Sequence, residues 1–150
     1  MASGDARGVR VRQANIEELH SLNAQIAEFK TPYPVEIFRE RLARRDWLGL
    51  VAEDDGELLG FKLGYDNGDR VFYSWLGGVL PAARRRGAAR RLLRAQESWV
   101  TDHGYREIWV KSRNRYRNML MLLWSEGYQI FDIEPKAQLE DNRIWFRKSL

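Results

Sequence analysis

Apolar and charged residues alternate from Val9 to Gln13, the period of a strand with one buried face. The period then lengthens. Ile16, Leu19, Leu22, Ile26 and Phe29 recur at helical spacing behind Asn15, a good N-capping residue, which predicts a helix over this stretch. Pro32 and Pro34 in "KTPYP" end it, because proline cannot donate a backbone hydrogen bond. A short helix from about Val35 carries Ile37, Phe38 and Leu42. Residues 47–53 and 57–66 read as two strands, and "DDG" between them has hairpin chemistry. After the turn at "NGD", residues 70–80 form a third strand, rich in aromatics and closing on Gly77 and Gly78. From Gly87 to about His103 the pattern is helical, with Ala89, Leu92, Leu93, Gln96 and Val100 along one side. "REIWV" is a short strand, "NMLMLLWSEG" a helix, and "YQIFDIE" with "NRIWFRKSL" a closing strand pair. Met119, Met121 and the leucines around them read as core packing, and His20 and His103 as residues of helix surfaces.

The pattern shows no internal repeat and no linker, so the 150 residues are expected to form one mixed α/β unit, with its core from about residue 9 to residue 150. Composition narrows the chemistry. Without cysteine, thiolate metal sites and a cysteine nucleophile are excluded, and the two histidines lie too far apart in sequence to show metal-ligand spacing. A formal charge of +4 is a mild bias towards anionic ligands. The start, "MASGDARG", lacks the apolar stretch of a secretory signal, and no later run reaches membrane-spanning length, so a cytoplasmic location is expected.

The stretch "LPAARRRGAARRLL" holds the most informative chemistry. A strand hands over through Pro81 and a basic loop to Gly87 at the start of a helix, where the first N–H groups have no helical partners. Unsatisfied donors and the helix dipole both favour a phosphate. Gly87, Ala88 and Ala89 permit close approach to the main chain, while Arg84, Arg85 and Arg86 add charge. In isolation the same residues describe a solvated basic helix start.

The series strand, Val79-x-Pro81, Arg84-x-x-Gly87-x-Ala89, long helix, short strand, helix ending at Gly127-Tyr128 resembles the GNAT superfamily of acyl-CoA-dependent N-acetyltransferases. The resemblance runs over nearly the whole chain, and "GFKLGYD", "FYSWLGGVLP" and "VKSRNRYRNMLML" are similar to a bacterial subgroup whose acceptors are mostly unassigned. It implies a mixed, mostly antiparallel sheet of six or seven strands flanked by about four helices and splayed between the fourth and fifth strands. It also implies acetyl-CoA as co-substrate, no metal, and direct transfer to a primary amine in a ternary complex. Arg84 to Arg90 would hold the pyrophosphate, Val79 would pair with the pantetheine arm, and the N–H of Gly77 would polarise the thioester carbonyl. Asn114 or Asn118 would take the place of a pantetheine-binding asparagine. Two consecutive glycines at 77 and 78 also fit a bulge or a close backbone approach.

Departures fall where catalysis is decided. Tyr73 stands where many relatives place a glutamate base, and a phenol with an ordinary pKa of about 10 is a poor base at neutral pH. Tyr73 would therefore orient the acceptor or a water. Leu123 stands where a tyrosine often protonates the leaving thiolate, and Tyr116 is the candidate substitute. Glu28, Tyr33, Tyr65, Asp66 and Trp75 are candidates for an acceptor site in which acids and aromatic faces favour a cationic amine. Two rivals remain: an acyl-CoA-binding sensor without turnover, and a nucleic-acid module using the arginines from 84 to 94 as a phosphate stripe. Against the second, Glu97, Asp102 and Glu107 balance those arginines, so neither nucleic acid nor membrane is expected as a partner. A homodimer is compatible with the family.

Overall fold

The computed structural model describes residues 8–26 and 32–150. Strand β1 (Val9–Gln13) is followed by α1 (Ile16–Gln25) and α2 (Val35–Leu42). A meander of β2 (Trp47–Asp54), β3 (Glu57–Asp66) and β4 (Val71–Val79) then leads into a single 3-10 turn (Pro81–Ala83) and α3 (Ala88–Asp102). The chain closes with β5 (Glu107–Arg113), α4 (Arg117–Ser125), β6 (Gln129–Glu134), a second 3-10 turn (Leu139–Asp141) and β7 (Arg143–Ser149).

Local chemistry explains these boundaries. Asn15 Oδ1 accepts from the Glu18 N–H at 2.9 Å, and Glu18 Oε1 accepts from the Asn15 N–H at 3.3 Å, a reciprocal box that starts α1. Helix α1 stops at Gln25, with Ile26 as its C-cap, so the helical spacing continues beyond the helix itself; Phe29 lies outside the described residues. Asp55 and Gly56 both have positive φ, 51° and 84°, as a tight hairpin between β2 and β3 requires.

Seven strands form one sheet in the order β1-β2-β3-β4-β5-β7-β6, antiparallel except for β4 and β5. A parallel neighbour cannot be reached by a hairpin, and α3 provides the crossover. Side chains alternate between two cores. Leu50, Phe72, Ile108 and Phe146 pack under α3 and α4, beside Leu92, Leu93 and Leu123. Val51, Phe61, Leu63 and Trp75 face α1 and α2, against Leu19, Leu22 and Phe38. Each such side chain contributes about 1.5–3 kcal/mol on burial. The closing pair is not a simple appendix, since β7 inserts between β5 and β6.

Helix α4 departs from the expected core packing. Leu123 is fully buried, but Met121 is 69% exposed, so only part of the apolar run faces the sheet.

Candidate active site

Strands β4 and β5 stay paired only from Val71 with Glu107 to Ser74 with Val110, although both continue further. Residues 75–79 and 111–113 thus form the two walls of a V. The parting is prepared within β4. Leu63 pairs with Leu76 and Gly64 with Ser74, which leaves Trp75 as the extra residue of a bulge. The bulge falls two residues before the glycine pair, which instead serves close approach. A Cβ on Gly78 would stand 2.7 Å from Ile26 Cδ1, and one on Gly77 would stand 3.3 Å from the Phe61 carbonyl oxygen. The Leu80 N–H donates to the Leu59 carbonyl at 2.8 Å, and this sets the phase of the strand. By antiparallel alternation Gly78 turns its amide towards β3, whereas Gly77 and Val79 turn theirs into the V.

At the end of that wall stands the N-terminus of α3. Gly87 occupies the N-cap position at φ 79°, a left-handed conformation that costs a residue with a Cβ roughly 1–2 kcal/mol. No side chain caps the helix, and its first turn closes only with the Arg91 N–H on the Gly87 carbonyl at 3.1 Å. The N–H groups of Ala88, Ala89 and Arg90 precede that bond, so the helix end is chemically suited to an anion. This donor set and the open β4 edge fit the diphosphate and amide arm of coenzyme A.

The arginines behave unequally. Arg84 and Arg85 are exposed, and Arg85 has φ 67°. Arg86 pairs with Asp54 and reaches Glu57 at 3.4 Å, so the β2–β3 hairpin offsets the charge that the sequence offered to a phosphate. Arg90 and Arg94 bind Glu126 at 3.3 and 2.8 Å, and Arg91 donates to the Val9 carbonyl at 3.2 Å. A free phosphate stripe along α3 is therefore not what the surface presents.

On the α1–α2 face an aromatic cluster covers the base of the V. The Tyr65 and Tyr73 rings lie 5.5 Å apart, Tyr65 and Trp75 5.9 Å, Tyr33 and Trp75 5.6 Å, and Tyr73 and Trp145 5.7 Å. Tyr73 is 7% exposed, and burial raises its phenol far above its ordinary pKa, with Arg41 and Arg143 opposing the rise. Its hydroxyl therefore stays protonated at neutral pH.

Cations that sequence reasoning missed surround these rings. Arg41 Cζ lies 4.7 Å over the Trp75 ring, and its Nη1 donates to Tyr65 Oη at 3.2 Å. Lys111 Nζ lies 5.6 Å over Trp145, its cross-strand partner. Arg143 Nη1 stands 3.6 Å from Glu134 Oε1, while its buried Nε has no partner among the described residues. A readable signal existed for Lys111, which shares a strand face with Trp109 at period two.

The α3 side of the same strands holds a second surprise. Lys62 is 6% exposed between Phe61 and Leu63 in the apolar middle of β3, and burial lowers its pKa to about 8, with Glu97 opposing. Its Nζ lies 3.6 Å from the position a Gly77 Cβ would take, so the bare glycine makes room for it. Ser74 Oγ and both amide atoms of Gln96 are buried without partners among the described residues.

Several expected residues fall elsewhere. Asp66 Oδ1 accepts from the Gly68 N–H at 2.9 Å, and Asp66 closes the β3–β4 turn at the far end of the strands from the parting. The structure therefore places this acceptor candidate in a turn, away from the parting. Asn114 donates its side-chain amide to the Leu139 carbonyl at 3.3 Å, and Asn118 is exposed on the first turn of α4. Tyr116 stands at the N-cap position of α4. Glu28 lies outside the described residues. Among the described residues no group of three or more His, Asp or Glu is placed to hold a metal ion, and no helix is long and apolar enough to cross a membrane.

Comparison with known proteins agrees with this geometry. The model of the acetyltransferase (GNAT) family matches residues 15–121. The sequence matches none of the curated proteins with which it was compared. Among solved structures it is similar to an N-acetyltransferase from Kribbella flavida, at 21% identity and TM-score 0.80 over 95% of this chain and 98% of that one. It is also similar to a GNAT acetyltransferase from Elizabethkingia anophelis with acetyl-CoA bound, at 14% identity and TM-score 0.76 over 96% and 99%. A third is a phosphinothricin acetyltransferase from Sinorhizobium meliloti in complex with AcCoA, at 16% identity and TM-score 0.78 over 95% and 89%. The chain belongs to the GNAT family of acetyltransferases.

Proposed function

We propose that the chain moves an acetyl group from acetyl-CoA to a primary amine by direct attack in a ternary complex. The parting of β4 from β5, beside an uncapped helix N-terminus, carries the reading. The acetyl-CoA bound by structural relatives supports it. When bound, acetyl-CoA supplies an activated acyl carbon whose bond to sulfur is exchanged for one to the amine nitrogen, the amine proton passing to solvent and the electron pair to sulfur.

The residues of the chain have separable tasks. The N–H groups of Ala88, Ala89 and Arg90, with Arg84 and Arg85 above them, hold the diphosphate. Gly77 and Val79 offer main-chain groups to the amide arm, the Gly77 N–H being the donor for the thioester carbonyl. Tyr73 orients the acceptor, and Tyr33, Tyr65 and Trp75 form its bed. Tyr116 is the residue at the mouth of α4 from which a proton for the departing sulfur would come, with Asn114 and Asn118 on the same loop and turn. Holding the two reactants together supplies much of the rate, so no strong base is required.

Calorimetric titration with coenzyme A, followed by free-thiol release across an amine panel, tests the reading. Saturable binding with release dependent on one class of amine is the expected result. Binding without release from any amine would favour a sensor, a reading kept in view because Leu123 is sealed in the core where a proton donor is usual in the family.

A further inference from the structure

Three elements distant in sequence bring cations to one aromatic cluster: Arg41 from α2 over Trp75, Lys111 from β5 over Trp145, and Arg143 from β7. Both arginines act on the Tyr73 phenol, and Lys111 lies within electrostatic reach of Arg143 and Arg41. One carboxylate, Glu134, faces Lys111, and it is already engaged by the Trp145 indole N–H, Arg143 and Lys136. Among the described residues neither Arg41 nor Lys111 has an ion-pair partner. Positive charges gathered on a half-buried surface repel one another, and an anion placed between them would offset that repulsion.

We propose that the acceptor amine carries an anionic group, a carboxylate as in an amino acid, held by Arg41 and Lys111 beside Tyr73. The inference rests on the acetyltransferase reading for the amine, and it reverses the cationic-amine preference that the sequence suggested. It also accounts for the missing base. The cations that hold the anionic group disfavour the protonated form of a neighbouring amine, so the nitrogen sheds its proton more readily. Burial already lowers the Lys111 pKa, with Arg143 and Arg113 adding to the effect, and a bound anion would reverse that shift. The aromatic faces of Tyr33 and Trp75 suit an apolar body on the same molecule.

The test uses matched pairs: α-amino acids against their decarboxylated amines as substrates, and the corresponding N-acetyl products as ligands in calorimetry, with and without coenzyme A. For the best-binding side chain, the acid should exceed its decarboxylated partner at least tenfold in both kcat/KM and product affinity. Lys111→Gln and Arg41→Gln should each shrink that ratio about fivefold or more, and Lys111→Arg should restore it, with coenzyme A affinity unchanged throughout. Equal handling of the two members, a ratio that survives both substitutions, or no acid bound at all would overturn the proposal. Loss of coenzyme A affinity in the unaltered protein would sink the donor assignment alone, because the product pairs still report on the anion site.

Discussion

The two ends of the cleft are built from different materials. The end proposed for the diphosphate is main chain: helical N–H groups, a left-handed Gly87 and a strand edge freed of its neighbour. The end proposed for the acceptor is side chain: rings and cations drawn from α2, β3, β4, β5 and β7. A main-chain site tolerates almost any sequence that preserves its backbone angles. A side-chain site is rewritten by single substitutions, which is how one donor scaffold takes many acceptors.

Four substitutions sharpen that contrast. Gly87→Asp has the largest expected effect, since it sets a carboxylate against the phosphates at a position of positive φ. Coenzyme A affinity should fall more than about 100-fold, a loss near 3 kcal/mol, and unchanged affinity in calorimetry would break the main-chain account. Lys62→Met should stabilise the protein at pH 7 by on the order of 2 kcal/mol in denaturant unfolding, because a desolvated charge is removed. Folded Lys62 loses its proton at about 8 and the unfolded side chain near 10.5. Between those values the unfolded state holds more protons, so stability rises with pH, and this rise should be absent from the variant, whose advantage over the parent shrinks across the same window. Tyr73→Phe should lower turnover about tenfold, near 1.4 kcal/mol of barrier, with coenzyme A affinity unchanged. Equal turnover would remove the hydroxyl from the mechanism. Arg86→Ala should be the mildest: its charge is spent on Asp54 and Glu57, so coenzyme A affinity should stay within about threefold and stability within about 1 kcal/mol.

The same contrast governs what could be read before any coordinates. Gly87, Ala88 and Ala89 announced an uncapped helix start behind a strand because its requirements are local: small residues, a break in the strand pattern and an amphipathic run after it. The splay between β4 and β5 followed from the family likeness, not from periodicity, and their parallel pairing was not read from the sequence. Arg41 and Lys111 could not be paired from sequence, since their meeting depends on how α2 and β5 cross the sheet. Asp66 looked like an acceptor acid because its residue type suits an amine, but the turn at Gly68 claimed its carboxylate first. Met121 belonged to a continuous apolar run whose outward share only the docking of α4 reveals. Lys62 was legible in principle, as a charge set between Phe61 and Leu63 in the apolar middle of a strand.

Gly78 joins the two ends mechanically. Its bare α-carbon is the seat on which Ile26 rests, at the point where α1 gives way to the segment leading to Pro32. The strand edge proposed to grip the donor and the helix that packs on the aromatic cluster thus touch at one point, where an added methyl group would be met first by a turn of the Ile26 side chain.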